Sequence, residues 1–335
     1  MKIRTAVEAW PFTYPFTITG YTLTHSDVLV VEVEHDGKVG RGEACGVYYF
    51  GDTVERGREQ IEALASRLTA PPSRDALLTM LPAGGARNAL DAALWDLEAR
   101  TESRAAWEIA GLLSPRPLLT TYTLGADEPE RMAARAQEFT NAHALKLKLT
   151  GTSEDAARIR AVREARPDVW IGVDANQGFT RASLDALMVT LIDAGVGLVE
   201  QPFPRGSEEL LDGLESSIPI AADESMIDLP DLDTLAGRVD VINIKLDKCG
   251  GLTRGLQIAR RAREMGMKTM VGCMGGTSLS MAPGFILGQI CEYVDLDGPI
   301  NLARDRSPAV AYDDLGRIFS PPNLWGAPTA TTQPS

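Results

Sequence analysis

The chain has 335 residues, 44% of them hydrophobic, which is enough for two domains or for one barrel with an attached domain. This composition excludes a disordered or collagen-like chain. The 33 basic and 46 acidic residues give a formal net charge of −13, which argues against nucleic acid and anionic membranes as partners because both bind positive surfaces.

The N-terminal residues and the cysteines predict a cytoplasmic location. Glu8 and Trp10 interrupt the continuous apolar segment that a secretory signal requires. The four cysteines include no CxxC pair, which favours reduced thiols over a zinc site or a disulfide framework. The uncharged stretch 269–291 is long enough to cross a bilayer, but it contains five glycines and a proline, so we do not expect a membrane span.

The first third of the chain predicts an α+β domain, which we place at residues 1–115. Residues 27–35 alternate in a strand pattern from Val31 onward, and an Asp-Gly turn at 36–37 leads into VGRGEA, which indicates a β-hairpin. Residues 86–101 place leucine and alanine on one stripe, as is typical of an amphipathic helix.

From about residue 118 onward, short β-branched runs alternate with charged helical stretches. Eight such alternations are typical of an α/β fold of the β/α-barrel type, which we place at 116–300. The remaining residues, 301–335, are expected to return to the first domain and to end in a frayed tail. The eight predicted strands are 118–124, 144–149, 169–175, 196–201, 218–224, 241–246, 268–273 and 293–298.

Charged residues end six of these eight strands, at the face where such barrels hold their active sites. Asp174, Glu200 and Asp223 end three adjacent strands and would form one arc of carboxylates. Three hard oxygen ligands with no histidine or cysteine nearby suit Mg²⁺. The alternative is that the three carboxylates pair with lysines, although their mutual repulsion favours a cation.

Lysines end the second and the sixth predicted strand, half a turn apart in an eight-stranded barrel. Lys148 and Lys245 would therefore face each other across the mouth, so that one can remove a proton from a carbon and the other can return one on the opposite face. Lys146 points the same way as Lys148, because residues two apart on a strand share a face. We expect the ammonium groups of Lys146 and Lys148, close to each other and to the metal, to lower each other's pKa and so to make a neutral amine base accessible near neutral pH.

Two aspartates, Asp295 and Asp297, end the eighth predicted strand, opposite the strand of Glu200. They would converge at the mouth away from the metal and could bind a cation such as a substrate ammonium group. The alternative is that they pair with a basic residue from a loop. The glycine-rich stretch 272–278 predicts a loop that lets the backbone approach a ligand.

Together these motifs resemble the enolase superfamily, specifically its muconate-lactonizing subgroup. The resemblance extends over nearly the whole chain, including GRGEA (40–44) and NALDAALWDLEA (88–99). It implies a (β/α)7β modified TIM barrel with an α+β capping domain built from the N-terminal region and the C-terminal tail. It also implies Asp174, Glu200 and Asp223 as ligands of one Mg²⁺, for which Mn²⁺ can substitute, with Lys148 and Lys245 as acid/base residues and Lys146 as their support. The matching motifs are KLK (146–148), DAN (174–176), EQP (200–202), DES (223–225), NIKLDKCGG (243–251) and GCMGG (272–276).

The DLDGP motif at 295–299 is similar to that of dipeptide epimerases in this subgroup, which use it to hold the substrate α-ammonium group. By the same resemblance, Thr123, Cys273 and Asn176 contact the dipeptide. Ala-Glu epimerases carry an arginine in the loop near residue 20, whereas residues 16–27 here contain none and Tyr21 corresponds to it. We therefore expect hydrophobic dipeptides rather than Ala-Glu.

The resulting hypothesis is a Mg²⁺-dependent, homo-oligomeric isomerase that inverts the α-carbon of the C-terminal residue of a dipeptide through an enediolate. The nearest alternatives use the same intermediate: N-acylamino acid racemisation, o-succinylbenzoate synthesis and cycloisomerisation. Their substrates lack a free ammonium group. A Schiff-base aldolase using Lys148 and a non-catalytic barrel are the remaining alternatives.

Overall fold

The computed structural model describes the backbone of residues 1–18 and 21–328 and the side chains of 1–15 and 22–328. The side chain of Tyr21, which the sequence places near the substrate, lies outside the described residues, as does the tail from 329 onward. The predicted domain boundaries, 115/116 and 300/301, stay a prediction.

The N-terminal part begins with a three-stranded antiparallel sheet in the order β1-β2-β3. Asp36 and Gly37 both have positive φ, as a tight two-residue hairpin turn requires, and this confirms the predicted hairpin. Strand β1 was not predicted, because Pro11 and Pro15 argue against a strand; as an edge strand it tolerates them. The strands are β1 (Lys2–Ile18), β2 (Tyr21–His35) and β3 (Lys38–Ala44).

Helices cover one face of this sheet, and the predicted helix 86–101 is confirmed. It packs closely on β3, because a Cβ atom at Gly40 or Gly42 would lie 2.1 Å from a backbone oxygen of this helix. The glycines of the GRGEA motif therefore permit the close approach. The helices are α1 (Val54–Ala65), α2 (Arg74–Met80), α3 (Gly85–Glu102) and α4 (Ala106–Ile109), with a 3-10 turn at Tyr48–Phe50.

Eight parallel strands then form a barrel, as the sequence predicts. The sheet closes through a hydrogen bond from the Thr121 backbone N–H to the carbonyl of Val294, 3.0 Å long. A short strand at 118–119, β4, precedes the barrel strands. The barrel strands are β5 (Tyr122–Leu124), β6 (Ala144–Lys148), β7 (Trp170–Asp174), β8 (Val196–Glu200), β9 (Ile220–Ala222), β10 (Val241–Lys245), β11 (Lys268–Gly272) and β12 (Tyr293–Asp295).

Helices surround the barrel, except that β8 and β9 are joined by a loop with one 3-10 turn, Glu208–Leu211. In the described part of the chain, none of the helices combines the length and apolarity needed to cross a membrane. The uncharged stretch 269–291 instead consists mainly of β11 and the last helix. The helices are α5 (Pro129–Glu138), α6 (Asp155–Ala165), α7 (Arg181–Asp193), α8 (Asp231–Leu235), α9 (Leu246–Cys249), α10 (Leu252–Glu264) and α11 (Ser278–Gly288).

Two predicted strands differ from those observed. The run 118–124 divides: β4 (Leu118–Leu119) pairs with β14 (Arg317–Phe319) in a small sheet that also contains β13 (Ala311–Tyr312), and only β5 enters the barrel. The run 293–298 ends at Asp295, because the chain turns at Asp297 into a 3-10 helix, Gly298–Asn301. Asp295 and Asp297 are therefore not an alternating pair on one strand.

The C-terminal segment runs back to the N-terminal sheet and its helices. The N–H of Ala303 donates to the carbonyl of Pro11 at 2.9 Å. The indole N–H of Trp325 donates to the carbonyls of Arg41, at 2.9 Å, and of Ala92, at 3.1 Å. These contacts join the segment to β1, β3 and α3.

Candidate active site

The two ends of the barrel differ in polarity. At the N-terminal end, Leu198, Ala221, Val241 and Met270 form an apolar cluster that fills the interior. At the C-terminal end, charged side chains follow or end six strands, and each of them is buried. These residues are Lys146 and Lys148 on β6, Asp174 on β7, Glu200 on β8, Asp223 after β9, Lys245 on β10 and Asp295 on β12.

Three carboxylates lie at the centre of this group. Asp174, Glu200 and Asp223 each place an oxygen within 4.8 Å of the others. Burial and the neighbouring charge of Asp174 raise the pKa of Glu200 to about 7, although its Oε2 lies 2.8 Å from the ammonium of Lys146. A cation would relieve this repulsion, and three hard oxygen donors match the preference of Mg²⁺. The residues present therefore fit Mg²⁺.

Lys146 lies between carboxylates from three strands. Its Nζ is 2.8 Å from Glu200, 2.9 Å from Asp295 and 3.1 Å from Asp174. Burial alone would lower the pKa of Lys146, but these carboxylates outweigh burial and raise it. Among the protein's own groups these carboxylates therefore dominate, and the expectation that the ammonium groups together with a bound metal lower the pKa stays a prediction.

The two lysines expected to exchange protons each contact one member of the carboxylate triad. Lys148 Nζ lies 2.6 Å from Asp174 Oδ2, and Lys245 Nζ lies 2.7 Å from Asp223 Oδ2. Their strands, β6 and β10, are each two positions from β8 in the barrel, so the lysines approach the triad from opposite sides. For Lys245, too, burial is outweighed, here mainly by Asp223, and the pKa is raised.

Two further residues support the triad, and the sequence analysis did not single them out. Lys248, whose side chain is fully buried, lies 2.5 Å from Asp223 Oδ1 and donates to the carbonyl of Asn243 at 3.2 Å. The side-chain amide of Asn243 donates to Glu200 Oε1 at 2.8 Å. For Asn243 the spacing was the available signal, because it precedes Lys245 by two residues and shares its face of β10.

Asp295 and Asp297 occupy different positions. Asp295 contacts Lys146 and accepts a 2.5 Å hydrogen bond from the Thr121 hydroxyl, so it faces the metal-side lysine rather than away from it. Asp295 therefore pairs with a basic residue, but that residue, Lys146, is on strand β6 and not in a loop as the alternative had it. Asp297 Oδ2 accepts a 2.7 Å hydrogen bond from the Thr123 N–H. Burial and the charge of Asp295 raise the pKa of Asp297 to about 6, as expected for a carboxylate that a cation would stabilise.

A cavity of about 150 Å³ connects these groups. All three lysines line it, as do Asp223, both aspartates of the DLD motif, Thr123, Cys273 and Asn176, while the N-terminal part contributes Phe12, Leu23, Tyr48 and Tyr49. The backbone N–H of Asn176 donates to Asp174 Oδ1 at 2.9 Å, which fixes its place at the cavity edge. Burial and the charge of Asp297 raise the pKa of the Cys273 thiol to about 12, so this thiol is neutral at pH 7.

The glycine-rich loop after β11 forms another wall of the cavity through Cys273, Met274 and Gly275. Residues of the N-terminal sheet fix this loop from behind. The N–H of Thr277 donates to Glu43 at 2.7 Å, and the N–H of Gly276 donates to the Ser26 hydroxyl at 3.1 Å. The N-terminal part thus contributes to the site both directly and by holding this loop.

The sequence matches models of two known domains. Residues 1–111 match the mandelate racemase / muconate lactonizing enzyme N-terminal domain, and residues 130–296 match the enolase C-terminal domain-like family. The chain belongs to the enolase superfamily. The N-terminal sheet with its helices corresponds to the capping domain, and most of the barrel lies within the second match.

Curated relatives are epimerases and racemases. The chain is 38% identical to the L-Ala-D/L-Glu epimerase of Escherichia coli, covering 92% of this chain and 97% of that one. It is 36% identical to an N-acetyl-D-glutamate racemase of a Pseudoalteromonas species (89% and 95%) and 33% identical to a hydrophobic dipeptide epimerase of Roseobacter litoralis (90% and 91%). The chain is therefore an isomerase that acts on amino acid derivatives.

Solved structures agree with the fold. An enolase family member from Agrobacterium tumefaciens, with bound sodium and L-Ala-L-Glu, has a TM-score of 0.93 at 39% identity and covers 97% of this chain and 99% of its own. A dipeptide epimerase from Methylococcus capsulatus, in complex with Mg and L-Arg-D-Lys, has a TM-score of 0.89 at 33% identity, covering 97% and 98%.

Proposed function

We propose that the protein is a Mg²⁺-dependent dipeptide epimerase that inverts the α-carbon of the C-terminal residue. One observation carries the proposal: Lys148 and Lys245 approach one carboxylate triad from opposite sides of a single cavity, and Asp297 lines the same cavity. Two bases on opposite faces of a carbon are what inversion by proton transfer requires. The E. coli and M. capsulatus relatives support the dipeptide as substrate.

In this mechanism, Asp174, Glu200 and Asp223 would hold the metal, which supplies positive charge to the substrate carboxylate as the α-proton leaves. A metal held by the triad would offset the carboxylate charge that raises the pKa of Lys245. One of Lys148 and Lys245, in its neutral form, then removes the α-proton, and the ammonium of the other donates a proton to the opposite face. Lys146 keeps a positive charge beside the triad. Asp297 binds the substrate ammonium group through a charge-assisted hydrogen bond, and Thr123 and Asn176 border the substrate.

We further propose that the C-terminal side chain of the substrate is hydrophobic. The capping domain places Phe12 and Leu23 in the cavity wall, and Met274 adds a third apolar side chain. Residues 16–27 contain no arginine that could pair with an acidic side chain. The R. litoralis relative supports this preference, whereas the E. coli relative, named for an Ala-Glu substrate, is the competing precedent.

The second candidate is racemisation of an N-acylamino acid, which uses the same bases and metal. Its support is the ion pair between Asp295 and Lys146, because Asp295 is then already neutralised without a substrate ammonium group. The Pseudoalteromonas racemase supports it too. The use of Mn²⁺, a cytoplasmic location and a homo-oligomeric assembly stay predictions. The four cysteines are free thiols, which is compatible with a reducing compartment.

The decisive experiment is deuterium incorporation in D₂O. The protein and Mg²⁺ are incubated with a library of L,L-dipeptides that varies the C-terminal residue, and mass spectrometry measures the exchange. We expect a gain of one deuteron, confined to dipeptides with an apolar C-terminal residue. Exchange of Ala-Glu alone would contradict the hydrophobic preference. If N-acylamino acids exchange and dipeptides do not, the second candidate replaces the first.

A further inference from the structure

A second cavity lies directly beside the catalytic one. We call it the α5 groove: it runs between helix α5 and residues Tyr14–Pro15 of β1, and its volume is about 820 Å³. Thr123 and Asn301 line both the α5 groove and the catalytic cavity. The groove therefore adjoins the site where the reaction is proposed to occur.

The catalytic cavity is small for the substrate that it must hold. Its volume of about 150 Å³ lies below the roughly 300–1,000 Å³ that is typical of small-molecule sites. The C-terminal residue of the dipeptide has to occupy this space, because its α-carbon must lie between the two lysines and its carboxylate beside the metal ligands. A dipeptide with a large N-terminal side chain needs additional room, and the α5 groove provides it.

The position of Asp297 directs the N-terminal residue towards this groove. Asp297 accepts a hydrogen bond from the N–H of Thr123, and Thr123 forms part of the border between the two cavities. A substrate ammonium group bound by Asp297 thus lies next to the border. Since one residue of extended chain spans only about 3.3–3.6 Å, the attached side chain can enter the groove directly.

The charges along the groove are balanced. Arg131 lies 3.5 Å from Asp127, and Arg135 lies 2.5 Å from Glu138. The guanidinium of Arg135 also stacks over the exposed ring of Tyr14, 5.1 Å from its centroid. Two arginines that are each paired with a carboxylate give no net charge to attract an ionic side chain, while aromatic and aliphatic groups between them offer apolar contact.

We propose that the α5 groove binds the side chain of the substrate's N-terminal residue and selects bulky uncharged side chains there. This inference rests on the proposed dipeptide epimerase function and extends it, because it assigns the second half of the substrate to a surface outside the catalytic cavity. The reacting carbon and the N-terminal side chain are then recognised by different parts of the molecule.

The test is to fill the groove. Ala134 is an exposed residue of α5 on its wall, so Ala134→Trp adds bulk without disturbing a packed core. Rates are measured for L-Phe-L-Leu and L-Ala-L-Leu, which share the reacting residue. We expect the ratio of their kcat/KM values to fall about tenfold or more in the variant, because burial of the phenyl group is lost. Ala134→Leu, a smaller change, should lower the ratio less.

Glu130→Trp is the matched control, because Glu130 is exposed on the same helix and does not line the groove. It should leave the ratio at the wild-type value. An unchanged ratio in Ala134→Trp would overturn the groove assignment, as would a wild-type enzyme that turns over L-Lys-L-Leu better than L-Phe-L-Leu. Absence of exchange with every dipeptide would instead overturn the proposed function itself, so the two failures are distinguishable.

Discussion

The two sides of the catalytic cavity are built in different ways. On the barrel side, the charged groups that end β6, β7, β8 and β10 and the one that follows β9 are buried, and each lies within 3.1 Å of an opposite charge. On the cap side, the cavity is lined by apolar and aromatic side chains such as Phe12 and Leu23, which come from a long edge hairpin. The first side is held by charge pairs on rigid strands, the second by the packing of loops and a hairpin.

This difference separates chemistry from specificity. Proton transfer requires that the acid and base residues keep one fixed geometry, and buried ion pairs between strand ends maintain that geometry. Choice of side chain requires only shape and polarity, which loops can change without moving the bases. Changes on the barrel side should therefore alter rate or stability for every substrate, and changes on the cap side should alter the choice among substrates.

The largest effect is expected from the two lysines. Lys148→Ala and Lys245→Ala should each lower epimerisation by about 10³–10⁴-fold, since each removes a general acid or base. Each variant should still exchange the α-proton of one stereoisomer, because the base on that face remains. Deuterium incorporation into L,L- and L,D-dipeptides measures this. Lys268→Ala is the control, because Lys268 is exposed at the opposite end of β11. Equal loss of exchange for both isomers in both variants would contradict the two-base assignment.

A stability measurement separates the buried charges of the barrel side from surface charges. Lys248→Met removes a fully buried partner of Asp223 and should lower the free energy of unfolding in EDTA by about 3–5 kcal/mol. Arg261→Met is the control, because Arg261 is half-exposed in a pair with Glu264 and should cost about 0.2–1 kcal/mol. Urea denaturation measures both. Similar losses in the two variants would show that burial does not distinguish these pairs.

Asp297 lies at the border between the two sides and should affect the choice of substrate class. Asp297→Asn removes the charge that binds the ammonium group, so kcat/KM for dipeptides should fall by about 100-fold. N-acylamino acids should be unaffected, since they carry no ammonium group. Asp295→Asn is the comparison: it also breaks the pair with Lys146, so it should impair both classes. A loss that is equal for both classes in Asp297→Asn would assign Asp297 to the barrel side.

The barrel side could be predicted from the sequence because its charged residues recur at the ends of successive strands. Each of Asp174, Glu200 and Lys245 ends a β-branched run, and the order of strands in a barrel is the order in the chain. The residues that face one another across the barrel can therefore be predicted by counting strands along the chain. The pairing of Asp295 with Lys146 was not predictable, because it depends on how the last strand closes against the first.

The cap side could not be predicted to the same degree. Strand β1 contains two prolines and only partial alternation, so Phe12 gave no signal that it lines the cavity. Lys248 follows β10 on a one-turn helix, and nothing in the spacing shows that its side chain turns back towards Asp223. The α5 groove is formed by elements more than a hundred residues apart, and its shape follows from tertiary packing.

The smallest effect is expected where the barrel side meets the cap. Asp247, on α9, is buried and accepts hydrogen bonds from the N–H groups of Cys45 at 2.8 Å and Gly46 at 3.1 Å, both on the same oxygen. Burial raises the pKa of Asp247 from an ordinary value of 3.8 to about 6. The charge of Asp52 adds to this shift, whereas the two hydrogen bonds oppose it. The folded state therefore binds the proton more tightly than the unfolded state. This preference for the proton stabilises the folded state in full below pH 3.8, and the stabilisation is lost as the pH rises through about 6.

Asp247→Asn should remove this pH dependence, because an amide oxygen can accept the same two hydrogen bonds and carries no charge at any pH. Near pH 7, where the carboxylate is ionised in both states, the variant should unfold with a free energy about 1–3 kcal/mol larger than that of the wild type. The advantage should shrink towards pH 4. Urea denaturation between pH 4.5 and 7.5 measures the difference. A variant that is less stable at pH 7 would show that the cap needs the charge of Asp247, and the junction would then belong with the charge-paired barrel side.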